Sequence, residues 1–133
     1  MDINILKIAN DTKNNKLLED FNFITKYKNS FCGDEIEITI KLKDNKIKKI
    51  GFACKSCIYT QASASLLTKF SINKTLSEMN DLKIFLNKYF SNEGEEIPKK
   101  WKMFSKIVNK KNLSRKECLM LPFNALAKIN KMM

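Results

Sequence analysis

The most constraining stretch of this chain is a strict alternation that turns back on itself. Ile36, Ile38, Ile40 and Leu42 alternate with Glu37, Thr39, Lys41 and Lys43. That period of two places apolar side chains on one face of a strand and polar ones on a wet face. Asp44-Asn45 then offers a tight turn, and Ile47 to Cys54 returns with Ile50, Phe52 and Cys54 on one side. Two antiparallel strands joined by a short turn bring the start of the first beside the end of the second. The residues that become neighbours are Cys32, Asp34, Cys54 and Cys57.

A hairpin cannot bury its own apolar face, so the rest of the chain must cover it. Phe21 to Tyr27 alternates in the same way and supplies a third strand. Ile3 to Ala9 suits a short helix, Asn10 to Lys16 is polar loop, and Asn29 to Asp34 is rich in turn residues. From Ile58 the period becomes helical, with Tyr59, Ala62, Ser63, Leu66, Leu67 and Phe70 along one side. Thr75-Leu76-Ser77-Glu78 is a capping box. It opens a helix carrying Met79, Leu82, Phe85, Leu86, Tyr89 and Phe90, which Ser91-Asn92-Glu93-Gly94 breaks. Pro98 can open another helix, with Trp101, Phe104, Ile107 and Val108 as core. Ser114-Arg115-Lys116-Glu117 forms a second capping box, and Cys118 sits in the first turns of the helix that follows. Pro122 lacks the N–H that would bond the Cys118 carbonyl, which predicts a kink or a restart there. The fold class expected is α+β: a small three-stranded antiparallel sheet with helices packed on one face, in a single domain over residues 1–133.

Several function classes fall away on composition. The chain has no histidine, which removes Ser-His and Cys-His catalysis and any metal site with an imidazole ligand. No apolar stretch is long enough for a membrane span. The start, Met1-Asp2-Ile3-Asn4, has neither a basic region nor an apolar one of the secretory kind, so the expected location is cytoplasmic. Thiols stay reduced there and read as metal or redox ligands. The net charge is +11, from 25 basic and 14 acidic residues, but Arg115 is the single arginine. Scattered lysines without interleaved aromatics point to a solvated surface, or to steering toward an acidic partner, and away from a nucleic-acid reader.

The thiols carry the chemistry. Cys32, Cys57 and Cys118 with Asp34 make three sulfurs and one carboxylate, a set that suits tetrahedral zinc or iron. The carboxylate holds a soft centre less firmly than a thiolate, so such a site opens to accept sulfur or to release cargo. Cys54 leaves three readings open: a ligand that replaces or joins Asp34, a helper thiol that relays sulfur, or a small buried residue that packs as a hydrophobe. A redox Cys-x-x-Cys of the thioredoxin kind needs a βαβ setting, which a preceding hairpin strand does not provide.

Three motifs, in order, resemble a known family. Asn29-Ser30-Phe31-Cys32-Gly33-Asp34-Glu35-Ile36, then Cys57-Ile58-Tyr59-Thr60-Gln61-Ala62-Ser63-Ala64-Ser65, then Arg115-Lys116-Glu117-Cys118 resemble the iron–sulfur cluster assembly scaffolds of the NifU N-terminal or IscU-like kind. The likeness runs from about Leu17 to about Ile129. It is nearest the SufU branch, because of the extra stretch around Ile97 to Asn112 and because Glu117 stands where IscU-type chains carry a histidine. The resemblance implies zinc, iron or an iron–sulfur cluster held by Cys32, Asp34, Cys57 and Cys118. It implies a PLP-dependent cysteine desulfurase as sulfur donor, with Cys118 or Cys32 as persulfide acceptor, and downstream cluster acceptors or a further scaffold as partners. The protein is then either a carrier on which clusters assemble or a zinc-dependent sulfurtransferase of the SufU type. A basic zinc-binding interaction module is the reading from another class. The chain departs from the family's pattern at Cys54 and Ser56, both usually glycine, and at Pro122.

Overall fold

The computed structural model describes residues 3–29, 33–91 and 96–132. Cys32 and the Asn92–Gly94 break therefore lie outside the described residues.

Three strands form one antiparallel sheet in the order β1-β2-β3: Phe23–Lys28, Glu35–Lys43 and Lys46–Lys55. Asp44 and Asn45 both hold positive φ, 54° and 64°, the mirror-image turn geometry that matches the twist of a two-residue hairpin. Cross-strand partners Ile38 and Phe52, and Ile40 and Ile50, share the core face. The register shifts between Lys41 and Leu42, which pairs Leu42 with Ile47 and brings both Ile47 and Ile50 into the core despite their spacing of three.

Helices cover that face. α2 (Ile58–Ser71) lies against β3, and α4 (Lys116–Met132) lies across β1 and β2. α1 (Ile3–Ala9) packs outside α2, and α3 (Leu76–Ser91) packs outside α4. The capping box of α3 forms as expected: Glu78 N–H donates to Thr75 Oγ1 at 3.1 Å and Thr75 N–H to Glu78 Oε1 at 3.4 Å.

The polar face of the hairpin is wet only in part: Lys49 is exposed, but the middle of the face is covered. The strap between α1 and β1 crosses it, and Thr39 is fully buried beneath. Leu18 N–H donates to Thr39 Oγ1 at 2.9 Å, and Phe52 N–H on the outer edge of β3 donates to Asn14 O at 3.0 Å. Gly51 makes this crossing feasible, because a Cβ there would stand 2.0 Å from Lys16 O. Farther along the same edge, Ile47 exchanges backbone bonds with the α2–α3 turn, donating to Lys74 O and accepting from Asn73 N–H.

Four other expectations need correction. α2 has no single apolar side: Thr60, Ser63, Ser65 and Thr68 are as buried as its alanines and leucines. Small residues let α1, α4 and β3 approach it closely, and its hydroxyls bond to carbonyls, as Ser63 does to Leu119 O at 2.6 Å and Ser65 to Asp11 O at 3.2 Å. The stretch after Pro98 is a 3-10 helix, Lys99–Lys106. Trp101, Phe104 and Ile107 recur every three residues, which is the period of a 3-10 turn. Phe104 lies edge-on between Phe70 and Phe123, with ring centroids 5.3 and 5.6 Å away. A second 3-10 segment, Lys110–Arg115, runs directly into α4 with Lys116 N–H on Leu113 O, so the helix begins without a Ser114 capping box. Of the kink or restart expected at Pro122, the restart does not occur: α4 continues through it to Met132.

Candidate metal centre

Three segments of the fold deliver the site. Gly33 takes φ +75°, a conformation that L side chains rarely adopt. Its N–H bonds back to Asn29 O at 2.9 Å, and Asn29 N–H bonds to Asp34 O at 2.8 Å, closing the turn that feeds β2. Asp34 is thereby set at the mouth of the hairpin. Cys57 ends the short link from β3 and occupies the N-cap position of α2 without capping through its own side chain. Cys118 is the third residue of α4 and is buried.

These pieces converge. One carboxylate oxygen of Asp34 and the sulfurs of Cys57 and Cys118 all lie within 4.8 Å of one another. Asp34 Oδ2 accepts the Cys57 N–H at 3.3 Å, so the carboxylate faces the unpaired donors at the start of α2. Two thiols and a carboxylate form a donor set that zinc and iron both accept. Donors around a tetrahedral ion stand roughly 3.5–3.8 Å apart, so the described group needs a contraction of about 1 Å to close on one.

Cys54 is not a member of this 4.8 Å group. It pairs with Ile36 across the sheet, packs against the core, and lines a surface cleft with Lys26, Glu35, Glu37 and Lys55. Burial pushes its thiol pKa up; the Ser56 hydroxyl opposes this, and the charges of Asp34 and Cys57 add to it. Arg115 sits with its guanidinium carbon 4.9 Å from the Tyr59 ring centroid, which links the start of α2 to the start of α4.

One residue at the site received no role from the sequence. Thr60, one turn into α2, donates to the Cys118 carbonyl at 2.9 Å. This is the carbonyl that Pro122, four residues on, has no N–H to serve. The side chain of α2 thus supplies what the α4 backbone lacks, and the two helix starts are tied together at the thiols.

Comparisons with known proteins agree with this picture. The family model described as the NifU-like N terminal domain matches residues 2–110. The iron-sulfur cluster assembly scaffold protein IscU of Thermotoga maritima is 37% identical over 78 residues, 59% of this chain and 55% of that protein. The chain therefore spans about half the length of that relative. Among solved structures, a nitrogen-fixing NifU-like protein (N-terminal) from Brucella abortus has TM-score 0.85 at 17% identity, covering 97% of this chain and 90% of that one. A putative iron-sulfur cluster assembly scaffold protein for the SUF system from Fervidobacterium islandicum has TM-score 0.79 at 23% identity, covering 96% and 94%. At these identities the structural likenesses speak for the fold, including the three-stranded antiparallel sheet and its helical cover.

Proposed function

This chain belongs to the NifU-like N-terminal domain family, and on that footing we propose that it serves iron–sulfur cluster assembly as a carrier. In this reading residues 1–133 act as one unit, and Cys32, Asp34, Cys57 and Cys118 hold metal or a nascent cluster as cargo. The observation that carries it is the approach of Asp34, Cys57 and Cys118, drawn from three separate elements, to within 4.8 Å of one another.

Sulfur arrives from a PLP-dependent cysteine desulfurase. The thiolate of Cys118 or Cys32 attacks the outer sulfur of the donor's cysteine persulfide. A new S–S bond forms as the donor's breaks, and the donor leaves as a thiolate. Asp34 keeps one corner of the site labile, because a carboxylate oxygen is a poorer partner than sulfur for a soft centre. Downstream acceptors then take the cluster. No helix of the described residues is long and apolar enough to cross a membrane.

A second reading makes the protein a zinc-dependent sulfurtransferase of the SufU type. The 3-10 stretch between α3 and α4 and the placement of Glu117 ahead of Cys118 favour it. Anaerobic purification followed by measurement of zinc, iron and acid-labile sulfide separates the two. Iron and sulfide in comparable amounts support the carrier; stoichiometric zinc with no sulfide supports the transferase. Absence of every metal, together with no rise in a desulfurase's alanine output, defeats both.

A further inference from the structure

Thr60 touches three groups of the candidate centre at once. Its side chain is fully buried, and its Oγ1 lies 3.2 Å from Asp34 Oδ2, 2.9 Å from Cys118 O and 3.8 Å from Cys57 Sγ. A hydroxyl has one proton and two lone pairs. The carboxylate and the carbonyl only accept, so the proton serves one of them at a time. The Cys57 thiol can donate to the hydroxyl oxygen itself, 3.8 Å away. The Cys57 N–H also falls on Oδ2, at 3.3 Å. When the hydroxyl proton is turned to the carboxylate, both donors grip the same oxygen. Full burial and contacts on three sides hold the hydroxyl where it stands.

We propose that Thr60 is a positioning residue for metal loading: its hydroxyl and the Cys57 N–H clamp Asp34 Oδ2, which turns Oδ1 toward the two thiols. This rests on the metal-binding reading above. The proton is also exchangeable between two jobs. With the proton on Asp34 Oδ2 the carboxylate is clamped; with it on the Cys118 carbonyl the start of α4 is steadied. Groups that orient a metal ligand in this manner are worth about 10–100-fold in metal affinity.

The test is anaerobic titration of the reduced chain with Co(II) and Zn(II) against a chromophoric chelator, in the wild type, Thr60→Val, Thr60→Ser, Asp34→Ala and the Thr60→Val/Asp34→Ala double variant. We expect Thr60→Val to bind about 10–100-fold more weakly and Thr60→Ser to recover most of the loss. In the Asp34→Ala background, Thr60→Val should cost little more, because the residue acts through the carboxylate. A merely structural role would leave its penalty intact in that background. The inference is overturned if Thr60→Val binds as the wild type does, if serine fails to rescue, or if the penalty persists without Asp34. Thr60→Ala carries the same cycle should valine not fold. A wild type that takes up neither metal would instead bring down the reading beneath.

Discussion

Gly51→Ala tests whether the strap across the back of the sheet is a structural member of the fold. The added Cβ would lie 2.0 Å from Lys16 O, 3.2 Å from Lys16 C and 3.3 Å from Leu18 N, all backbone atoms. Ordinary contact requires about 3.5 Å, so the strap must retreat by roughly 1.5 Å. That movement stretches the bonds from Leu18 N–H to Thr39 Oγ1 and from Phe52 N–H to Asn14 O, now 2.9 and 3.0 Å. Each is worth about 0.5–1.5 kcal/mol net. Alanine returns about 0.5–1 kcal/mol by restricting the unfolded chain, while wetting the Thr39 face adds to the loss. The expected destabilisation is about 1–3 kcal/mol, or a fall in Tm of roughly 3–12 °C for a chain of this size. Urea unfolding followed by circular dichroism should show a lower midpoint at unchanged m-value. Metal affinity at 25 °C should be untouched, since Gly51 pairs with Thr39, five residues along from Asp34. A variant within about 0.5 kcal/mol of the wild type would refute the reasoning.

Further expectations concern the site and its supports. Cys57→Ser and Cys118→Ser should each lose most bound metal, while Cys54→Ser keeps the wild-type stoichiometry; equal loss in all three, by elemental analysis, would enlist Cys54 as a ligand. With its pKa raised chiefly by burial, Cys54 should resist alkylation near neutral pH and react faster only as pH rises above the ordinary thiol range, read by mass spectrometry in Cys57→Ser/Cys118→Ser. The same upward shift means that its contribution to stability is present below the unfolded thiol pKa and declines as pH climbs through the folded one. Thr75→Ala should cost about 1 kcal/mol by thermal melting, through loss of the capping box at the start of α3. Gly33→Ala should cost about 1 kcal/mol from backbone strain, since among the described residues beyond its chain neighbours no atom stands within 4 Å of the added Cβ.

The hairpin was legible because its signals are local. Alternation fixes the core face, and Asp44 and Asn45 tolerate the positive φ of the turn. That placed Asp34 beside Cys57 before any tertiary contact entered. The all-round burial of α2 was hidden, since Ala and Ser give no periodic contrast in hydrophobicity. Trp101, Phe104 and Ile107 fit one face of an α-helix loosely and of a 3-10 helix well, and spacing over seven residues does not separate the two. Pro122 points to a kink or a restart when the backbone is taken alone; the helix does not restart, and the donor for the Cys118 carbonyl comes from a residue 58 positions earlier. Thr60 was within a quoted motif and still had no role. The available clue was that a proline four residues after a cysteine leaves a carbonyl to be served from outside its own helix.

The outer edge of β3 is occupied by segments that are not strands: the strap reaches it at Phe52, and the turn before α3 reaches it at Ile47. Stripping the strap away would present that edge as a template for intermolecular pairing. Trimming the chain back to Asn22 should therefore yield a protein that self-associates, and the N-terminal segment can be understood as a guard against aggregation.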